Sequence, residues 1–295
     1  MKKKRIKSLI FGISGQDGSY LSHFLINKKH DICGTTRNSN KNNLKNLTRL
    51  GILKKVKIIK CDIANFFAVK KLLKKIKPDE IYYLCGQSSV TESYIDPGEA
   101  FKSNTLSLLN VLEIVKKTNK KIKIFNAVSG QFYGDRKKNI YNEKSYINPQ
   151  SPYGVSKAGS YWLVKIFREW YGIKCCNGIL FNHESPLRSD EFVTKKIINH
   201  CWKIKRRKLK YLYMGDINIS RDWGWAPEYV EAMYLMLKQK DPKDLVIGSG
   251  KRHTLKSFIF EAFRLLKIPR NRLKANTKKF IRRKDIRSYR SDPRL

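Results

Sequence analysis

Three glycines at three-residue spacing, Gly12, Gly15 and Gly18, interrupt the chain immediately after the apolar run Leu9-Ile10-Phe11. A short strand, a tight turn and the start of a helix are the local structure that such a pattern predicts. At Gly12 and Gly15 bare backbone can come against a ligand where a side chain would collide, and the N–H groups opening the helix are suited to a phosphate. The spacing is G-x-x-G-x-x-G, not the commoner G-x-G-x-x-G. Its meaning therefore depends on a strand before it and a helix after it.

The same alternation continues. Asp31–Thr36, Val56–Cys61, Glu80–Cys85 and Ile122–Ala127 read as further short strands, with helical periodicity from Phe67 to Ile76 and from Glu99 to Lys117. Strands alternating with helices predict an α/β fold, a Rossmann-type doubly wound parallel sheet with right-handed crossovers and ligands at the carboxyl ends of the strands. Residues 1–180 are expected to form a nucleotide-binding domain that also carries the catalytic residues, and 181–295 a smaller substrate-binding lobe.

The strand ends suggest a cofactor. An acidic residue after the second strand would favour a free ribose hydroxyl and an arginine a 2′-phosphate; the chain has Arg37, which points to NADP. Asp62 and Ile63 end the third strand where an adenine would lie. Leu84, Gln87 and Ser88, around Cys85-Gly86, follow the fourth with small residues suited to close approach. Ser151 opens a long helix to Tyr171 that places Tyr153 and Lys157 at i and i+4 on one face. An ammonium one turn from a phenol lowers the phenol's pKa from about 10 and lets it exchange a proton near neutrality. Ser129, just past the fifth strand, would supply the hydroxyl that completes such a constellation.

Lysine and arginine number 63 against 24 acidic residues, a net charge of +39. Such an excess suits a nucleic-acid binder. The lysines, however, are spread over nearly every polar face, as in Lys54-Lys55 and Lys70-Lys71, without a basic tail or a nucleic-acid motif. An anionic small substrate is the better reading, with no specific nucleic acid as partner. No run reaches the roughly 18 apolar residues of a membrane span, and Met1-Lys-Lys-Lys-Arg leads into a strand, not into a signal peptide's apolar region, so a cytoplasmic protein is expected. The six cysteines form no C-x-x-C pair and imply neither a disulfide framework nor a metal site.

The sequence resembles the extended short-chain dehydrogenase/reductases, and within them the GDP-mannose 4,6-dehydratases. Gly12–Leu21, Leu84–Val90, Ser151–Lys157, Leu180–Arg188 with its Asn-His-Glu-Ser-Pro stretch, Phe192–Ile197 and Arg221–Gly224 carry the resemblance in the family's order. It implies a bound NADP that oxidises the sugar at C4 and is regenerated in each turnover. Tyr153 would be the base, Lys157 its partner and Ser129 the polarising hydroxyl. Gly12, Gly15, Gln16, Asp17 and Gly18 would line the cofactor, joined by His183 and Arg188. Ser88, Ser129, Asn182, Lys196, Arg221 and Arg282 would face the GDP-sugar, GDP-mannose or a close relative. A homodimer or homotetramer is also implied. The chain stops at Leu295, earlier than the family usually does, so a last helix of the substrate lobe is expected to be missing.

One position departs from the family. Where it has a glutamate that removes the C5 proton, this chain has Gln131. An amide cannot accept that proton, so elimination should be slowed while C4 oxidation survives. An engineered substitution, a different reaction on a keto sugar, and a substitute base all remain open; Asp135 is the nearest carboxylate and is doubtful for reach. The alternatives are a GDP-4-keto-sugar reductase or epimerase, and a non-catalytic nucleotide-sugar binder.

Overall fold

The computed structural model describes residues 5–134 and 140–275. The chain divides into two compact units, Met1–Leu187 with Gly224–Ser249, and Arg188–Trp223 with Gly250–Leu295. The sequence suggested one crossing after residue 180. The division is discontinuous instead, because the helix and strand of residues 226–247 complete the core and sheet of the first unit.

The first unit builds, in chain order, β1 (Lys7–Phe11), α1 (Gln16–Asn27), β2 (Asp31–Thr36), α2 (Lys45–Arg49), β3 (Lys57–Lys60), α3 (Phe66–Ile76), β4 (Glu80–Tyr83), α4 (Val90–Ile95), α5 (Pro97–Phe101), α6 (Ser107–Thr118), β5 (Lys123–Ser129), α7 (Pro152–Tyr171), β6 (Cys175–Leu180) and β7 (Asn182–Glu184). The second unit supplies α8 (Val193–Lys205) and β8 (Leu212–Met214). Along β9 (Ser220–Trp225) the chain passes back into the first unit for α9 (Ala226–Lys238) and β10 (Leu245–Ile247). It ends in the second with β11 (Arg252–Thr254), α10 (Leu255–Leu266) and β12 (Leu273–Ala275).

Seven strands pair in the order β10-β6-β5-β4-β1-β2-β3, and every pairing in the sheet is parallel. Alternate residues serve opposite faces, as strand geometry requires. Leu9, Phe11, Ile81, Tyr83 and Ile124 join Val69 and Leu73 of α3, Leu108 and Val111 of α6, and Val164 of α7. Ile10, Tyr82 and Phe125 face the other way and join Leu21 and Leu25 of α1 and Tyr229, Val230 and Met233 of α9. Both faces are covered, which accounts for continuous apolar strands.

In the second unit β8 pairs with β12 in parallel, and β11 runs antiparallel to β9, Arg252 opposite Asp222. Ile197 and Cys201 of α8 pack with Ile259 and Phe263 of α10 in a separate core. Among the described residues no helix is long and apolar enough to cross a membrane.

The helix expected from Glu99 to Lys117 is present and uninterrupted from Pro97 to Thr118, but it changes pitch on the way. Between α5 and α6 lies a π-turn, Lys102–Leu106. A wide turn inside a helix re-aims side chains. Here Ser103 Oγ accepts from the Gln87 N–H (3.0 Å), Asn104 Nδ2 donates to the Gln87 carbonyl (2.9 Å) and Thr105 Oγ1 donates to the Ser156 carbonyl (2.8 Å). Three polar residues in a row thus tie the loop after β4 to the start of α7.

Candidate functional site

The glycine turn closes between β1 and α1. Gly12 takes φ +89°, a conformation that a side chain disfavours, and its N–H bonds the Thr35 carbonyl of β2 at 3.2 Å. Gly18 has a different reason: a Cβ there would lie 2.2 Å from the Gly12 oxygen, so it permits the helix to press on the turn. At Gly15, by contrast, a Cβ would meet only the Gly12 oxygen, at 3.4 Å. That backbone stays approachable, and the first-turn N–H groups of α1 have no partners within the helix.

The side chains of Gln16 and Asp17 are engaged with the segment after β6. Asp17 Oδ2 lies 2.9 Å from His183 Nε2, Gln16 Nε2 donates to the His183 carbonyl at 3.2 Å, and Ser185 Oγ donates to Gln16 Oε1 at 2.8 Å. His183 Nδ1 lies 2.8 Å from the Phe181 carbonyl, so both ring nitrogens face acceptor oxygens, the carbonyl on one side and the Asp17 carboxylate on the other. The ring stacks on Tyr229 with centroids 4.4 Å apart. Asn46 Nδ2 lies 3.3 Å from both the Ser14 and Leu187 carbonyls. Together these bonds strap residues 183–187 across the glycine turn, a part for Gln16, Asp17 and His183 that the sequence reading did not foresee.

Around the turn, Arg37 is 79% exposed and its Nη1 lies 3.3 Å from Glu99 Oε1. Asp62 Oδ1 accepts from the Ala64 N–H at 3.0 Å, Ile63 is buried in the core under α3 and α6, and Leu84 N donates to the Phe11 carbonyl at 3.0 Å. Gln87 Nε2 donates to the Ser89 carbonyl at 2.6 Å, and its Oε1 is buried with no hydrogen-bond partner among the described residues. Ser88 is exposed.

Ser151 caps α7, its Oγ accepting from the Gly154 N–H at 3.0 Å, with Pro152 at the first helical position. The N–H of Tyr153, another first-turn orphan, is taken by Ser93 Oγ of α4 at 3.0 Å. Tyr153 and Lys157 share the buried face. The Lys157 ammonium lies 5.8 Å from the Tyr153 ring centroid and donates to the Ala127 carbonyl at 2.9 Å. Burial pulls its pKa down to about 8, opposed by the neighbouring Cys85 thiol, which burial itself pushes up to about 12. Ser129 is the last residue of β5, two beyond Ala127, and its Oγ accepts from the Gln131 N–H at 3.3 Å in the 3-10 turn Gly130–Tyr133. Gln131 is half-buried.

The first unit thus gathers the glycine turn, the loops after β2, β3 and β4, Ser129, Gln131, Tyr153, Lys157 and Asn182. Three other expected residues belong to the second unit. There the Arg188 guanidinium stacks 3.5 Å from the centre of the Phe192 ring, Lys196 is exposed in the first turn of α8, and Arg221 on β9 donates to the Ser220 carbonyl at 2.9 Å. Arg282 and Asp135 lie outside the described residues. The sequence reading missed Ser93, Asn104 and Asn46; the run Ser103-Asn104-Thr105 inside a helical pattern was the one available signal.

A profile of the family described as GDP-mannose 4,6 dehydratase matches residues 9–294. The chain belongs to the GDP-mannose 4,6 dehydratase family. It is 38% identical over 271 residues to GDP-mannose 4,6 dehydratase 1 of Arabidopsis thaliana, covering 88% of this chain and 75% of that protein. To GDP-mannose 4,6 dehydratase of Homo sapiens it is 36% identical over 271 residues, covering 89% and 73%. The family is one of enzymes, the nucleotide-sugar 4,6-dehydratases. Among solved structures, the dTDP-glucose 4,6-dehydratase of Bacillus anthracis in complex with NAD superposes with TM-score 0.80 at 18% identity, over 97% of this chain and 91% of that one. RMD from Pseudomonas aeruginosa complexed with NADPH gives 0.76 at 21% identity, over 93% and 85%. Both likenesses are of fold.

Proposed function

We propose that the chain binds NADP and GDP-mannose and carries out the first half of 4,6-dehydration, with a weakened second half. The observation that carries this reading is Lys157: a buried ammonium fixed at the Ala127 carbonyl, one turn from Tyr153 and two residues along β5 from Ser129. The glycine turn fits the cofactor. Gly15 leaves the turn without a side chain in the way of a ligand, the first-turn N–H groups of α1 face the turn with no acceptor inside the helix, and the buried Gln87 Oε1 is an acceptor in need of a donor. Gly12, Gly15 and α1 would hold the pyrophosphate, Arg37 the 2′-phosphate, Asp62 and Ile63 the adenine, and Leu84 to Ser88 the remainder, with His183 and Arg188 beside it. A nicotinamide held there would supply the hydride acceptor for oxidation at C4 of the sugar and the hydride donor for C6.

The chain's own groups handle the protons. Lys157 favours the phenolate of Tyr153, which takes the proton of the C4 hydroxyl and becomes the neutral phenol, while Ser129 donates a hydrogen bond to the C4 oxygen. Asn182, Lys196, Arg221 and Arg282 are assigned to the nucleotide sugar. The ketone at C4 acidifies the C5 hydrogen, which must leave as the C6 hydroxyl departs. Gln131 has no carboxylate to accept the one or protonate the other, so this step loses the roughly 10²- to 10⁴-fold that a general acid–base contributes.

Incubation of the protein and of Gln131→Glu with GDP-mannose and NADP, followed by mass spectrometry, tests the reading. It expects the dehydrated 4-keto-6-deoxy sugar from Gln131→Glu and little from the parent. Equal rates would overturn the role given to Gln131; no product from either would overturn the substrate. Gln131 also favours a second reading, a reductase of a GDP-4-keto-sugar, which would turn over cofactor with a keto sugar and not with GDP-mannose. We further assign a homo-oligomer: Val155, Trp162, Ile166 and Trp170, at 41, 46, 44 and 81% exposure, form an apolar stripe on α7 opposite its buried face.

A further inference from the structure

Outside the residues assigned above, the second unit carries a cleft of about 570 Å³ where the ends of α8 and α10 open onto the segments that follow them. Six of the residues lining it are cations: Lys205, Arg207, Lys208, Lys210, Lys267 and Arg272. Among the described residues no carboxylate lines it, and none of the six is in an ion pair. Its floor includes the buried Ile204 and Ile268.

The chain-wide lysine excess is the first explanation to weigh. A second cleft, on the first unit, is lined by Arg5, Lys29, Lys54, Lys55 and Lys57, but it also contains Asp31, which pairs with Arg5 at 3.5 Å. The cleft on the second unit has no such internal counter-charge. The helix ends are the other explanation, since cations are favoured at C-termini. Each terminus supplies about half a negative charge, so two offset about one of the six. Roughly five positive charges remain gathered in one concavity.

The backbone contributes to that gathering. Arg207 and Lys267 both adopt left-handed conformations, φ +57° and +55°, as residues ending helices do. Arg272 Nη1 lies 3.5 Å from the Lys210 carbonyl, tying one wall to the other. At the rim, Lys210, Arg272 and Lys274 lie 5.4, 6.0 and 4.9 Å from the Tyr211 ring centre, a cation–π setting that fixes long side chains near the opening.

We propose that this cleft binds a polyphosphate group, either of a nucleotide or of an inorganic chain. Its volume is in the range of small-ligand sites. Its lining offers several N–H donors and no acceptor side chain, which fits an anion of several charges and not a sugar or an apolar ligand.

The test is calorimetric titration of the full chain with inorganic tripolyphosphate and, separately, with ATP, both in saturating GDP-mannose. The triple variant Arg207→Glu, Lys208→Glu, Lys267→Glu is compared with a triple of identical charge change on exposed α3, Lys70→Glu, Lys71→Glu, Lys74→Glu. All six positions are exposed, and thermal melts confirm folding. A loss of tenfold or more in affinity for the cleft triple, with less than threefold for the α3 triple, is expected. Equal losses, or none in either, would overturn the site and leave only the general charge of the chain. Tripolyphosphate binding as tightly as ATP would assign the inorganic chain; ATP binding tenfold tighter would assign the nucleotide.

Discussion

Lys157 of α7 and Ala127 of β5 are joined by a 2.9 Å hydrogen bond that holds a buried ammonium against a backbone carbonyl. Desolvation brings this lysine to about 8 from its ordinary 10.5. Between those values the unfolded chain binds more protons than the folded one. The cost of burying the charge is present in full below pH 8 and is relieved as pH rises toward 10.5, so stability rises across that window, by on the order of 3 kcal/mol. Rate should move the other way. Single-turnover formation of NADPH falls above pH 8 as the ammonium is lost, while the melting temperature gains a contribution that Lys157→Met abolishes. A rate that is flat to pH 9.5 would contradict this.

Gly15 and Gly18 should respond differently to alanine. Gly15 sits at φ −69°, ψ 173°, ordinary extended backbone with room for a Cβ, so Gly15→Ala stays within about 0.5 kcal/mol of parent stability. Its effect is on the approach of the cofactor, with Kd for NADP rising at least tenfold. Gly18→Ala drives a methyl group to 2.2 Å from the Gly12 oxygen and destabilises by about 1–3 kcal/mol or more. Denaturant melts and NADP titrations separate the two.

Arg37 is paired with Glu99 on the surface, an interaction worth at most about 1 kcal/mol. It can exchange that carboxylate for a phosphate at little cost. Arg37→Ala should raise Kd for NADP about 10- to 100-fold, the worth of a charge-assisted hydrogen bond, and leave Kd for NAD within about twofold. A parallel loss for both cofactors would remove the 2′-phosphate from the assignment.

The stripe on α7 makes a statement about mass. Glutamate at both Trp162 and Ile166 replaces the two central apolar side chains of the stripe with charge and should convert an oligomer to a monomer in multi-angle light scattering at micromolar concentration. Helix content should be unchanged, because both side chains point away from the core face of Tyr161 and Val164. A parent that is already monomeric would end the oligomer assignment.

Much of the first unit could be read along the chain because its signals are local. Gly12, Gly15 and Gly18 follow an apolar run, Ser151-Pro152 opens a capped helix, and Tyr153 and Lys157 are one turn apart; each needs only its neighbours. The π-turn at Lys102–Leu106 was hidden because its reason lies elsewhere, in the backbone of Gln87 and Ser156 that Asn104 and Thr105 must reach. Asp17 was assigned to a cofactor because its motif position suggested it, yet its partner His183 is 166 residues away and no periodicity relates the two. The boundary at 180 failed for a similar reason. Nothing local in Ala226–Lys238 says which core its apolar face will join.

That return of the chain sets an order of events during synthesis. The sheet face carrying Ile10, Tyr82 and Phe125 is closed by Tyr229, Val230 and Met233, and β10 is the last strand to pair. A nascent chain that has reached Trp223 has made every glycine, serine, tyrosine and lysine of the proposed catalytic apparatus but leaves that apolar face open. Translation must run about 25 residues further before it closes, which at 5–20 residues per second is a delay of roughly one to five seconds. Over that interval the emerging protein is a client for chaperones, and pausing or truncation between residues 223 and 249 should send it to aggregation.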